Sequence, residues 1–157
     1  MMVTENIFSK RTAVEQVEEG IELAPKFNSY GLIPVVVTDI NTGELLMHGY
    51  MNEQALRKTI VSGQMHYYSR SREVIWHKGS TSGFFQNVKE LHIDDDQDAI
   101  WAKVEVLGGA SCHVGYRTCF YRKIDYTDGN IGLMFTDKEK VFDPKAVYGD
   151  ETNPTKL

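Results

Sequence analysis

Between residues 32 and 124 the sequence runs through a succession of short β-branched and aromatic segments, and most of the connectors are too short to hold a crossover helix. That spacing constrains the fold most, because neighbouring strands must mostly turn back on one another. Residues 32–38 and 44–50 read as a hairpin around the turn Asn41-Thr42-Gly43. Residues 65–69, 74–78, 88–93 and 119–124 read as further strands. Over residues 99–106, Ile100, Ala102, Val104 and Val106 alternate with Trp101, Lys103 and Glu105, the period of a strand with one buried face. Helical signals are few. Thr12 and Glu15 stand in capping-box register before Gly20, and Asn52 can cap a helix carrying Ala55, Leu56, Thr59 and Ile60 with Gly63 past its end. The expectation is an α+β fold, mainly antiparallel β, with one or two short helices in a compact single domain. A chain of 157 residues, 41 % hydrophobic, can bury one ordinary core of that kind.

Charge and apolar patterning exclude several classes. The formal charge is −5, from 22 acidic and 17 basic residues, which argues against nonspecific binding to nucleic acid or to an anionic membrane. The longest apolar runs fall far short of the roughly 20 residues that span a bilayer. No basic stretch followed by an apolar one opens the chain, so a cytoplasmic setting with reduced thiols is expected. If the ligand is an anion, the protein must concentrate its cations in one cleft or recruit metal ions.

Three clusters carry chemistry. In Asp94-Asp95-Asp96-Gln97-Asp98 four carboxylates follow an apolar strand, and their mutual repulsion calls for a divalent cation. On extended backbone Asp94, Asp96 and Asp98 would share one face and offer three hard oxygens to Mg²⁺, with Asp95 on the other face. Asp94, Asp96, Asp98 and Glu105 also match a calcium-loop pattern, but the hinge glycine is Ala99 and the flanks alternate as strands, so an EF-hand is rejected.

The second cluster holds the chain's two cysteines, Cys112 and Cys119, with His113 beside them. In a reducing compartment, two thiols near an imidazole are more naturally metal ligands or reactive groups than a disulfide, and zinc accepts both donor types. The third runs from Tyr68-Ser69-Arg70-Ser71-Arg72 to Trp76-His77-Lys78-Gly79-Ser80-Thr81-Ser82-Gly83. Arg70, Arg72, Lys78 and hydroxyls such as Ser82 suit phosphate oxygens, and Trp76 and Tyr68 can stack on a base. No P-loop or dinucleotide fingerprint occurs, nor the H-x-E and P-C-x-x-C signature of zinc deaminases.

Taken in order, the segments GLIPVVVTD, TGELLMHGYMNEQAL, YYSRSREVIWHKGSTSG, DDDQDA and SCHVGYRTCFYR resemble the phosphoribosyl-AMP cyclohydrolase family from about Gly31 to about Lys123. The resemblance implies a catalytic domain over residues 31–124; the helical signals ahead of it make 1–30 a helical extension, and 125–157 form a C-terminal extension whose polar end is expected to be partly disordered. The resemblance also implies hydrolysis of the N1 to C6 bond of the adenine ring of phosphoribosyl-AMP, a step of histidine biosynthesis. Zinc and magnesium are the implied cofactors, in a monofunctional enzyme. The family's zinc cysteines match Cys112 and Cys119, and its magnesium aspartates match Asp94, Asp96 and Asp98. His113 becomes the candidate general base or proton shuttle. Arg70, Arg72 and Lys78 would hold the 5′-phosphates. An intertwined homodimer with metal sites between subunits is implied as well. One position departs from the family: a third zinc cysteine is replaced by Asp95, so either Asp95 or His113 completes the zinc site. Phe84 also stands where a more polar residue is usual.

Overall fold

A computed structural model describes residues 6–157. Helix α1 spans Val14–Glu19, and strands β1 (Leu32–Asp39) and β2 (Leu45–Asn52) form the expected hairpin. Helix α2 (Glu53–Ser62) follows, then β3 (His66–Ser69), β4 (Val74–His77), β5 (Gln86–Ile93) and β6 (Ile100–Val106). The chain continues through β7 (Arg122–Asp125), a short 3₁₀ turn, β8 (Gly132–Phe135) and α3 (Pro144–Tyr148).

The main sheet has the order β2-β1-β6-β5, and β3-β4 and β7-β8 are separate two-stranded ribbons. The α+β class holds, with two corrections. First, β1 and β6 pair in parallel, so the main sheet is mixed. Two antiparallel hairpins lie side by side, and the long excursion through α2, β3 and β4 supplies the connection that a parallel pair requires. Second, the described residues hold three α-helices, not one or two. The third had its own signals: the Asp143 carboxylate accepts from the Lys145 N–H at 3.0 Å, Pro144 opens the first turn and Gly149 follows the last residue. Among the described residues no helix is long and apolar enough to cross a membrane.

Alternation puts the core where the β pattern places it. Ile33, Val35 and Val37 of β1 and Ala102 and Val104 of β6 are fully buried, and they meet Leu56 of α2 beneath the sheet. Each large aliphatic side chain so buried contributes on the order of 1.5–3 kcal/mol. Trp101 and Lys103 lie on the opposite face. Helix α2 begins where Asn52 Oδ1 accepts from the Ala55 N–H at 2.8 Å and ends at Gly63, whose φ of 72° suits glycine. The expected capping box of α1 is absent: Ala13 occupies the cap, and Gln16 Oε1 reaches back to the Thr12 N–H at 2.9 Å.

Candidate active site

The ribbon β3-β4, the middle of β2, the loop carrying the cysteines and the C-terminal segment enclose a cavity of about 940 Å³. Arg70, Arg72, Trp76, Ser82, His113 and Cys119 line it together, although they come from separate stretches of sequence. The Arg70 guanidinium lies 4.1 Å from the Tyr50 ring centroid, and Arg72 lies 5.9 Å from that of Trp76. Ser69 Oγ accepts weakly from Arg72 N and Nε, at 3.3 and 3.4 Å, which sets the arginine's approach. Gly79 permits the close turn beyond β4: its φ is +98°, and a Cβ there would meet the Phe85 backbone nitrogen at 2.6 Å.

The two thiols meet because their loop folds back on itself. Ser111 N–H donates to the Arg117 carbonyl at 3.0 Å, Cys112 N–H to that of Tyr116 at 3.1 Å, and Cys119 N–H to that of Leu46 at 2.7 Å. The Thr118 hydroxyl donates to the Leu45 carbonyl at 2.7 Å and so anchors this loop to β2. Cys112 is buried, Cys119 is exposed, and both are free of disulfides. A hydrogen bond from Cys119, helped by the backbone N–H groups of Val114 and Tyr116 and the charge of Lys78, brings Cys112 down to about 6 against the resistance of burial. Sharing that bond pushes Cys119 strongly up, with desolvation of its sulfur, in a residue otherwise exposed, and the charge of Cys112 adding to the effect. The shared bond thus favours ionisation of Cys112 over that of Cys119.

His113 Nε2 is buried and has no hydrogen-bond partner. Burial lowers the imidazole's pKa, with Lys78 and Arg72 adding to the effect and a contact from Asn153 opposing it. The ring is thus neutral near pH 7 and free to accept a proton. Lys78, grouped with the phosphate ligands by sequence, lies instead beneath the thiols at 1 % exposure.

The acidic segment lies outside this cavity, on the turn joining β5 to β6. It is not extended, so the expected alternation of faces fails. Gln97 adopts a left-handed φ of 59° and reverses the chain, while Asp94 Oδ1 accepts from the N–H groups of Asp98 and Ala99 at 2.9 and 3.1 Å. Asp94, Asp95 and Asp96 then each bring an oxygen within 4.8 Å of the others, and this is the one such trio of ligand atoms among the described residues. His113, Cys112 and Cys119 are not among these gathered ligand atoms. Contact with Asp94, aided by partial desolvation and Asp96, raises the Asp98 carboxyl, as expected where a counter-cation would relieve crowding. Hard oxygens here suit Mg²⁺, and the paired sulfurs suit zinc.

Sequence reasoning missed the residues that brace the cysteine loop. The Tyr67 hydroxyl donates to Gln86 Oε1 at 2.5 Å, Gln86 Nε2 donates to Ser111 Oγ at 3.0 Å, and Lys78 Nζ donates to the Ser111 carbonyl at 2.7 Å. A polar Gln86 in a strand otherwise reading as half-buried was the available signal. The C-terminal contribution was also missed: Lys145, Tyr148, Asn153 and Lys156 all line the cavity.

A family model described as phosphoribosyl-AMP cyclohydrolase matches residues 47–121. A Rhodopseudomonas palustris protein named phosphoribosyl-AMP cyclohydrolase is 51 % identical over 142 residues, covering 90 % of this chain and 94 % of its own length. Relatives of the same name from Bradyrhizobium diazoefficiens (50 % over 133 residues; 85 % of this chain, 94 % of theirs) and Rhizobium leguminosarum bv. trifolii (54 % over 133; 84 % and 89 %) show similar agreement.

Proposed function

Because the chain belongs to the phosphoribosyl-AMP cyclohydrolase family, we propose that the cavity binds phosphoribosyl-AMP and that water opens its adenine ring between N1 and C6. The enzyme is thereby a hydrolase of histidine biosynthesis. One observation carries the assignment of chemistry: Cys119, hydrogen-bonded to Cys112 behind it, stands at a cavity also lined by two arginines, a tryptophan and an imidazole whose Nε2 lacks a partner. Zinc, when bound by Cys112 and Cys119, supplies the Lewis acidity that brings the pKa of water down toward about 7.

The chain's own residues do the rest. Arg70 and Arg72 bind phosphate through forked N–H donors, and Trp76 offers a face to the purine. His113, neutral at rest, accepts the proton of the attacking water at Nε2 and returns it to N1 as the N1–C6 bond breaks. Lys145 and Lys156 add positive charge on the C-terminal side of the same cavity.

Two thiols would leave a zinc coordination sphere short of protein ligands, and the Asp95 carboxylate is a further candidate, although within one chain it gathers with Asp94 and Asp96 on the exposed acidic turn. Asp95 of a second copy would complete the set, with Asp94, Asp96 and Asp98 providing the magnesium oxygens. The apolar exposure of Ile124, Ile131, Leu133 and Phe135 on and beside the β7-β8 ribbon favours such a homodimer. The test is the ultraviolet absorbance of purified protein given phosphoribosyl-AMP, zinc and magnesium. A ring-opening spectral change is expected, and its absence under those conditions would remove the reading.

A further inference from the structure

Resting on the zinc reading above, we propose that Lys78 is a positioning residue of the metal centre: a buried cation that offsets the charge of the Cys112 and Cys119 sulfurs and clamps Ser111 beside them. Lys78 is 1 % exposed, yet its ammonium makes a single hydrogen bond, to the Ser111 carbonyl at 2.7 Å. An ammonium carries three donors, and burying one without an anion nearby is strongly unfavourable. Among the described residues no carboxylate pairs with it. Burial pulls the Lys78 pKa down, the charges of Cys119 and Cys112 oppose that pull, and Nζ also lies 5.2 Å from the Trp76 ring centroid.

The counter-charge of Lys78 is therefore the sulfur pair. Two thiolates and a carboxylate around a divalent ion sum to one net negative charge, which one fixed ammonium balances. The same side chain has a mechanical role. Ser111 is held at its carbonyl by Lys78 and at its hydroxyl by Gln86, which is braced in turn by Tyr67, and all four residues are buried. Cys112, the next residue, inherits that fixed position. Partners behind the ligands tune metal sites in this way, and losing one typically weakens binding about 10–100-fold. Lys78 does not line the cavity, which leaves phosphate recognition to residues that do.

The experiment compares the full-length wild type with Lys78→Met and Lys78→Gln. Zinc affinity is read by competition with a chromophoric chelator, and the thiolate-to-metal charge-transfer band is read after cobalt replaces zinc. AMP serves as the phosphate probe in a separate binding titration. Zinc affinity should fall about 10–100-fold in Lys78→Met, with a displaced cobalt band and unchanged AMP binding. Lys78→Gln keeps a donor for the Ser111 carbonyl but no charge, so it should lose comparable affinity. Wild-type zinc affinity and cobalt spectrum in either folded variant, or a loss confined to AMP binding, would overturn the proposal. If neither variant folds, Lys78→Arg keeps a buried cation but displaces the donor from the Ser111 carbonyl, and must still weaken zinc several-fold and move the cobalt band; unchanged values there overturn it too. Failure of the underlying reading looks different: zinc would then bind wild type, Cys112→Ser and Cys119→Ser alike, or none of them.

Discussion

Gln97 Nε2 donates to the Val17 carbonyl at 2.9 Å, so the acidic turn and the N-terminal helix are fastened by one side chain. The same amide donates to the Glu22 carbonyl at 3.2 Å and accepts from the Ala24 N–H at 2.8 Å. The turn that carries the aspartates is therefore held by contacts with a segment some eighty residues earlier, and its left-handed residue is 4 % exposed. Gln97→Ala keeps the strained backbone and strands buried backbone groups without partners. A destabilisation of about 2–4 kcal/mol is expected from the loss. Chemical denaturation measures it, and a change below about 0.5 kcal/mol, no more than an ordinary surface substitution, would mean the turn is held by something else.

The thiol pair makes a prediction about protons. Cys112 is held at about 6 in the folded, metal-free protein, below the 9.0 of an unperturbed thiol. A depressed acid contributes stability that is present above its ordinary pKa and is lost as pH falls through the folded value. The Cys112 contribution should therefore fade between about 9 and about 6. Cys119, displaced upward by the same bond, keeps its proton at neutral pH. Zinc must eject that proton, so binding near pH 7 should release about one proton per site. Calorimetry in buffers of different ionisation enthalpy counts it, and release of two protons would contradict the shared-proton arrangement.

Much of the fold was legible because local and global signals agree. The turn at Asn41-Thr42-Gly43, the alternation from Ile100 to Val106 and the Asn52 and Gly63 caps all specify elements from neighbours in sequence alone. The parallel pairing of β1 with β6 was not legible, since it is decided by which edges two finished hairpins present to each other. The acidic run misled for a local reason: alternation assumes extended backbone, and Gln97 turns left-handed only because distant carbonyls and an N–H satisfy its side chain. At the cavity, residue types singled out Arg70, Arg72, Trp76 and Cys119 from two separate stretches, and the fold brings them together. Lys78 read as a phosphate ligand beside Arg70 and Arg72 because its burial depends on Ser111 and the sulfurs, which lie more than thirty positions away.

Separating zinc ligands from proton carriers requires paired variants. His113→Ala should reduce kcat about 10²–10⁴-fold while leaving zinc content intact, the range for loss of a general acid–base group. Asp95→Ala should instead lower both bound zinc and activity, and Asp95→Cys should restore zinc with a third sulfur. Metal content by atomic absorption alongside turnover distinguishes these roles. Zinc lost in His113→Ala but retained in Asp95→Ala would exchange the two assignments.

The C-terminal segment carries the last prediction. Lys145 and Lys156 line the cavity along with Arg70 and Arg72, and a substrate with a phosphate on each ribose offers two anionic ends to a protein of net charge −5. Both lysines are exposed, so water and salt screen them. Exposed charge pairs contribute about 0.2–1 kcal/mol, which corresponds to a KM increase of up to about fivefold for Lys145→Ala or Lys156→Ala. On the reading that these side chains meet the phosphates and not the ring, kcat should hold. The salt dependence of kcat/KM should also become shallower, since each removed cation deletes a screened attraction. Steady-state kinetics across ionic strength decides it: an unchanged KM and salt slope in the double variant would show that the segment encloses the cavity without binding phosphate.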